Sequence, residues 1–271
     1  MLTHARKTLV SRTLQYLFLA ALFAFIATPM LVIVVFSFDA NRFPTIPWGG
    51  FSLEWHRAVL ADERIRSAFL NSLVVGVATA LISTVLGFAA AYIDYRYLFR
   101  GKTLGGLLVA IPPAVPASIL GMAMLAFLSR VGLFGSTLAI IVCHVAIATS
   151  FAMAIIRLRL GEFSRDLEPA AWNLGASPLA TLFTVVVPFC KPALLASLFL
   201  CAAVSFDEIL IAWFVGGTVE TLPVRILNLL QGQVSPKINA IGTLVLIISV
   251  ILVLCAQRLL GIRAGARRPS E

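Results

Sequence analysis

Two adjacent carboxylates, Asp207 and Glu208, stand inside an apolar stretch that runs from Pro192 to Val215. If a helix enters hydrocarbon near Ala193, Asp207 lies about 21 Å along it at roughly 1.5 Å per residue, deep in a layer of roughly 30 Å. An ionised acid at that depth costs at least a few kcal/mol unless it meets water, a cation or a partner. The chemistry open to the pair is contact with, or steering of, a positively charged solute. The competing reading is that the helix ends early and the pair caps it at the outer rim. Neighbours on a helix diverge by about 100°, so one acid would face a pathway and the other the bundle. Phe206 and Trp213 flank the pair and complete the candidate pathway set.

Other chemistries find no support. Gly101-Lys102-Thr103 imitates the end of a phosphate-binding loop, but Arg96 stands where that pattern requires its first glycine. His144 has no carboxylate or second histidine at helical spacing, and His4 and His56 are far from it in sequence, so a metal site is not expected. Cys143, Cys190, Cys201 and Cys255 are scattered and form neither a metal nor a disulfide pattern. There is no Ser/His/Asp or Cys/His set and no glycine-rich nucleotide loop, so enzyme activity has nothing to run on. Energy for any directed process must come from a partner or an ion gradient.

The elements that carry these residues are membrane helices. Hydrophobic residues make up 60% of the chain and charged residues 12%, against about 25% charged in soluble domains, and the mean hydropathy is +1.00. Six apolar runs are long enough to span the bilayer as helices: Leu14–Phe38, Ala68–Ile93, Leu104–Ser129, Leu133–Ile156, Pro192–Val215 and Ala240–Ala256. They imply an all-α integral membrane protein with a six-helix domain over 14-257, a short segment 1-13 before it and a basic tail 258-271 after it. The first run is longer than a signal h-region and lacks a cleavage pattern, so it is read as a retained helix. On one side of these spans lie 14 of the 21 basic residues against five acids, and on the other seven basic residues meet seven acids. The whole net charge of +9 therefore sits on one face, which places both termini in the cytoplasm and leaves no basic module for nucleic acid.

Two segments interrupt this pattern. Pro112, Pro113 and Pro116 remove backbone donors within the third span and break or kink it, and interrupted helices line cavities in transporters, which makes the three prolines candidate gating residues. On the basic side, the loop 157-191 contains a polar-sided hairpin. Asp166 reads as an N-cap, Glu168 favours the positive end of a helix dipole, and Pro169 is tolerable only in a first turn. Gly175 ends that helix, Ser177-Pro178 start a second, and it runs to about Val187 before Pro188. The Ala170-Ala171 pair leaves one side without bulk, so a soluble protein could approach closely. The loop Asp39–Ser67, with Trp48 and Trp55, is read as a cap on the outer face.

The hairpin resembles the EAA loop of ABC-importer permeases. That pattern reads Glu-Ala-Ala, three residues, Gly, nine residues, Ile, one residue, Leu-Pro. Here Ala170-Ala171, Gly175, Val185 and Val187-Pro188 fall at the same spacing, while the family's Glu falls on Pro169, with Glu168 beside it. Ser205-Phe206-Asp207-Glu208, Thr221-Leu222-Pro223-Val224-Arg225-Ile226 and Val234-Ser235-Pro236-Lys237-Ile238-Asn239-Ala240 look like the second permease of spermidine/putrescine-type importers, whose relatives also carry opines.

The resemblance implies a type I importer permease (MetI-like) fold in a bacterial inner membrane. It implies a homologous second permease, two copies of an ATPase subunit that use ATP and Mg, and a periplasmic or extracellular solute-binding protein, with no cofactor bound by this chain. Glu168, Pro169, Ala170, Ala171, Gly175, Ala176, Ser177 and Pro178 would then seat in the ATPase. The solute would be a polyamine, or an opine or amino-acid derivative. A stand-alone secondary transporter is the distant alternative; it would be expected to show interrupted helices in matching halves, and the sixth span has no counterpart to the prolines of the third.

Overall fold

The protein is described over residues 2–41, 45–232 and 236–261 by a computed structural model. In chain order its helices are α1 (Leu2–Ser37), α2 (Glu54–Leu60), α3 (Glu63–Arg96), α4 (Lys102–Ala110), α5 (Ala117–Arg130) and α6 (Thr137–Leu160). They continue as α7 (Leu167–Asn173), α8 (Pro178–Thr181), α9 (Val187–Asp207), α10 (Leu210–Val215), α11 (Leu222–Gly232) and α12 (Lys237–Gly261). Val234, Ser235 and most of the basic tail expected from residue 258 lie outside the described residues. Two units are distinguished: Met1–Asp62 with Leu229–Leu244, and Glu63–Asn228 with Val245–Glu271.

In the first unit, α1 ends in a loop organised around one buried acid. Asp39 accepts hydrogen bonds at Oδ1 from the backbone N–H groups of Asn41 and Gly49, both at 3.0 Å. Its carbonyl accepts from Trp55 Nε1 at 3.0 Å, and its backbone bridges antiparallel to Phe51. Phe38 stacks between Phe51 and His56, with ring centroids at 5.2 and 4.7 Å. The loop is thus a small ordered body. Lys237, at the start of α12, meets Asp62 at 3.4 Å in the same unit.

The second unit is built on a seam of small residues. Along α3 the buried positions are Ile65, Ala68, Ser72, Val75, Gly76, Thr79, Ala80, Ser83, Thr84, Gly87 and Ala91, single residues or adjacent pairs that recur every three or four residues. That spacing makes one narrow face, and with mostly small residues on it the neighbouring helices come close, as membrane helices must where lipid offers no hydrophobic drive for association. A Cβ added to Gly87 would lie 2.5 Å from the Ala152 Cβ of α6. Cys190, Ala193, Ala196, Ser197 and Cys201 form the matching face of α9. The large apolar side chains point the other way: Leu73, Val74, Val77, Leu81, Val85 and Leu86 of α3 are all exposed. Three interior polar groups find partners across the seam. Ser83 Oγ donates to the Val145 carbonyl at 3.4 Å, Cys201 Sγ to the Ala148 carbonyl at 3.3 Å, and His144 Nδ1 lies 2.8 Å from Ser205 Oγ. His144 is therefore a helix-interface residue.

Among the described residues, five helical stretches are long and apolar enough to cross a membrane: Arg12–Ser37, Glu63–Arg96, Thr137–Leu160, Pro178–Asp207 and Lys237–Leu259. Two expectations change. The third expected span, Leu104–Ser129, is not one helix; α4 stops at Ala110, a 3₁₀ turn covers Pro112–Ala114, and α5 begins after Pro116. Three prolines lacking N–H groups account for the break where it was anticipated.

The fifth expected span, Pro192–Val215, is shifted. Helix runs without interruption from Pro178 to Asp207, passing Pro188 through a π-turn at Leu182–Val186, and the segment after Glu208 is a separate helix. The proposed stop at Pro188 fails because Pro188 falls in the first turn of α9, where the wide turn before it absorbs the missing donor.

Because the seam leaves no space at Gly87, Gly87→Leu is expected to destabilise the purified protein by about 1–3 kcal/mol, read as a fall in its thermal midpoint in detergent. Gly105→Ala in α4, where an added Cβ meets nothing within 4 Å, is expected to leave the midpoint unchanged or raise it.

Candidate coupling loop and solute pathway

After α6 the chain turns at Gly161 and forms the hairpin α7–α8. Ser177 caps α8, its Oγ accepting from the Ala180 N–H at 3.2 Å, and Pro178 takes the first helical position, as the Ser-Pro pair predicts. Gly175 has φ +88°, a left-handed turn that a side chain would strain. Asp166 departs from expectation. It precedes α7, but its side chain makes no capping bond, because its backbone is already helical at φ −83° and ψ −16°; Ser164 Oγ instead accepts from the Asp166 N–H at 3.4 Å.

The hairpin has two faces. Leu167, Pro169, Ala170, Asn173, Leu174, Ser177, Pro178 and Leu179 are exposed, with Leu174 at 90%. Glu168 is buried, and Ala171, Trp172 and Ala176 are half-buried. The Glu168 carboxylate meets Arg96 Nε of α3 at 2.9 Å, and the same guanidinium lies 4.6 Å from the Trp172 ring centroid. Arg96 was not legible as the partner of Glu168 and Trp172. It lies far from them in sequence, and only the excess of cations on this face hinted that the arginines there have work to do.

Neighbouring cations tie the helix ends in the same way. Asp94 of α3 meets Arg157 of α6 at 3.0 Å and Lys102 of α4 at 3.7 Å. Arg159 pairs with Glu162 and lies 3.9 Å from the Phe189 ring of α9.

The pathway candidates do not all converge. α9 ends at Asp207, whose exposed carboxylate accepts from Ser249 Oγ of α12 at 2.6 Å. Glu208 is extended, and its Oε1 accepts from the Ile211 N–H at 3.1 Å, satisfying a donor of the first turn of α10. The two acids thus part at a helix break, because that bond commits Glu208 to starting a new helix. Phe206 is buried, edge-on to Phe69 with centroids 6.4 Å apart. Trp213 is 43% exposed and packs against Phe214.

Pro112 and Pro113 lie in the 3₁₀ turn and Pro116 precedes α5, whose Gly121 lies against the Phe214 ring of α10. Beside them in interest is a recess of about 660 Å³ lined by Arg64, Asn71, Thr218, Glu220 and Arg225. It is held in shape by Asn71 Nδ2 donating to the Glu220 carbonyl at 3.0 Å and Ser72 Oγ accepting from the Leu222 N–H at 2.8 Å. Among the described residues no group of three or more His, Cys, Asp or Glu side chains could hold a metal.

Comparison with known proteins places this helical membrane body among the transport permeases. Residues 83–264 match the family of binding-protein-dependent transport system inner membrane components, and the chain belongs to that family. It is a multi-pass permease subunit of an ABC importer and not itself an enzyme.

Among curated relatives, it is 33% identical to the putrescine transport system permease protein PotI of Escherichia coli K12, over 83% of this chain and 82% of that one. It is 28% identical to the spermidine/putrescine transport system permease protein PotC of the same strain, over 92% and 94%. Its fold is similar to a chain of a bacterial alginate ABC transporter solved in complex with an alginate pentasaccharide-bound periplasmic protein. There the TM-score is 0.70 and identity 15%, covering 91% of this chain and 93% of that one. A chain of the MetNI methionine ABC transporter is similar at a TM-score of 0.53 and 21% identity, covering 76% and 100%.

Loss of the α8 cap in Ser177→Ala is expected to cost about 1 kcal/mol. Amide hydrogen exchange over residues 178–187 should therefore accelerate roughly fivefold, with exchange in α6 unchanged.

Proposed function

We propose that this chain is one of two homologous permeases in a bacterial inner-membrane importer. Two copies of an ATPase subunit would drive the pair, an external binding protein would feed it, and the cargo would be a small cationic solute, most simply a polyamine. The observation that carries the reading is the 33% identity, over most of both chains, to a permease named for putrescine transport. The exposed Asp207 carboxylate supports it, since an anion at a break between helices suits a cation that must be held briefly and released. In this reading α4 and α5, with nine and 14 residues, together make a sixth crossing. At roughly 1.5 Å per residue their combined helical length is about 34 Å. Both termini then lie in the cytoplasm, and the proline break between the two helices forms part of a gate.

The exposed face of α7 and α8 is the surface for the ATPase. Ala170 allows close approach, while Leu174 and Leu179 supply apolar contact that would otherwise face water. The outer loop around Asp39 would help to receive the binding protein. A second reading, a zwitterionic solute such as an opine, is favoured by the recess where Arg64 and Arg225 stand with Glu220; such a set matches a carboxylate and an ammonium together.

Two experiments test this reading. Uptake by the reconstituted importer is expected to favour putrescine or spermidine over opines. At unchanged assembly, Asp207→Asn is expected to lower polyamine uptake about tenfold, equivalent to roughly 1.4 kcal/mol. Normal uptake by both Asp207→Asn and Glu208→Gln would remove the cation pathway, and preference for an opine would transfer the assignment to the recess. Replacing Gly175 by Phe is expected to release the ATPase during purification in detergent; retention of a fully bound ATPase would count against the hairpin as its seat.

A further inference from the structure

The loop's acid does not occupy the position that the family pattern assigns to it. That position is Pro169, exposed on the outer face of α7, while Glu168 is 2% exposed. One residue along a helix is a rotation of about 100°, enough to turn a carboxylate from a docking surface into the body of its own chain. There it meets Arg96 at 2.9 Å, and Trp172, one turn further along α7, covers the same guanidinium at 4.6 Å. A cation from the last turn of α3 is therefore gripped by two side chains from one face of α7.

From this we infer that Arg96, Glu168 and Trp172 form a clasp that fixes α7 to the inner end of α3, so that displacement of the hairpin is passed directly into the small-residue seam. The inference rests on the reading of the hairpin as the ATPase seat. The three side chains are positioning residues, since none of them touches solute or nucleotide in this scheme.

Three features make the clasp necessary. A helix of seven residues is not stable alone and needs tertiary contacts to hold its direction. Asp166 supplies no cap at its start. The chain reverses on either side of it, at the left-handed Gly175 and at a turn through Gly161, so neighbouring helix does not continue its axis. The contact is also ionic in character. Neither Glu168 oxygen accepts a hydrogen bond from the described residues, and a cavity of about 90 Å³ beside it is lined by Tyr95, Arg96, Arg165 and Glu168. Such a space is polar and wide enough for a few water molecules, which would satisfy the carboxylate while its charge is balanced by Arg96. Removing Arg96 leaves the buried Glu168 carboxylate without its counterion, and neutralising Glu168 removes the anion that fixes the Arg96 guanidinium, whereas exchanging the two restores the pair.

The test uses the complete importer with its binding protein in sealed vesicles, measuring solute uptake and ATP hydrolysis together. Glu168→Gln and Trp172→Leu are expected to keep the ATPase bound and hydrolysing while uptake per ATP falls tenfold or more. The exchange Arg96→Glu with Glu168→Arg is expected to recover at least half of the lost coupling. A second readout needs no motor: in the purified chain, amide exchange over Leu167–Asn173 is expected to accelerate at least tenfold in Glu168→Gln and to return towards the original rate in the exchanged pair.

Unchanged exchange over α7 would overturn the clasp, whatever the transport result. Faster exchange with unaltered uptake per ATP would also overturn it, because the contact would then be structural only. Loss of the ATPase from Glu168→Gln would place that carboxylate on the docking surface and equally sink the inference. A wild-type importer without ATP-dependent uptake would instead overturn the function proposed above and the clasp's transmitting role with it, even where α7 exchange responds as expected.

Discussion

The close approach of α3 to α6, at Gly87 against Ala152, is the constraint from which the rest of this molecule follows. In hydrocarbon, two helices gain nothing by hiding Leu from lipid, so they hold together through contact between backbones and through hydrogen bonds that replace water. The sequence answers with a row of Ala, Ser, Thr and Gly on α3 and a matching row of Ala, Ser and Cys on α9. Many large side chains of α3 are displaced from that seam to the outside, which is one reason so much of the exposed surface is Leu, Val, Ile and Phe. The three-helix body has no slack, and beside it the chain departs from regular α-helix at Pro112–Ala114, at the π-turn Leu182–Val186 and at Glu208. Those departures are where a pathway can be built without dismantling the seam.

On the basic face, charged side chains tie helix ends together. Asp94 gathers Arg157 and Lys102, and Arg159 lies against Phe189, so the ends of α3, α4, α6 and α9 are tied side chain to side chain. Arg96 extends the same network into the hairpin through Glu168. The acids of these pairs are largely shielded while several of the cations remain exposed, and together the contacts make the basic edge of the bundle one connected frame. A motor that moves α7 would move that frame.

Much of this was legible in the residues. Composition identified the membrane class, the spacing from Ala170 to Pro188 identified the family, and three prolines within five residues marked the break between α4 and α5. What escaped was contact between distant residues and the local rescue of broken rules. A proline reads as a stop, but Pro188 is carried inside helix because a wide turn precedes it. An apolar run reads as one span, but Glu208 ends it by bonding to the Ile211 N–H, a choice made by one side chain. Asp166 reads as a cap, although its backbone conformation excludes that geometry. Glu168 reads as a surface acid near a helix start, and only the fold brings Arg96 to it. Hydropathy and spacing report a residue's own tendencies, whereas each of these outcomes depends on a neighbour.

The most direct test of the account is solute accumulation in sealed vesicles, compared between the complete importer and the permease pair without its ATPase. The account requires ATP-dependent accumulation by the first and none by the second, because it assigns the energy input to the ATPase. Accumulation against a gradient by this polypeptide in the absence of any ATPase would contradict it.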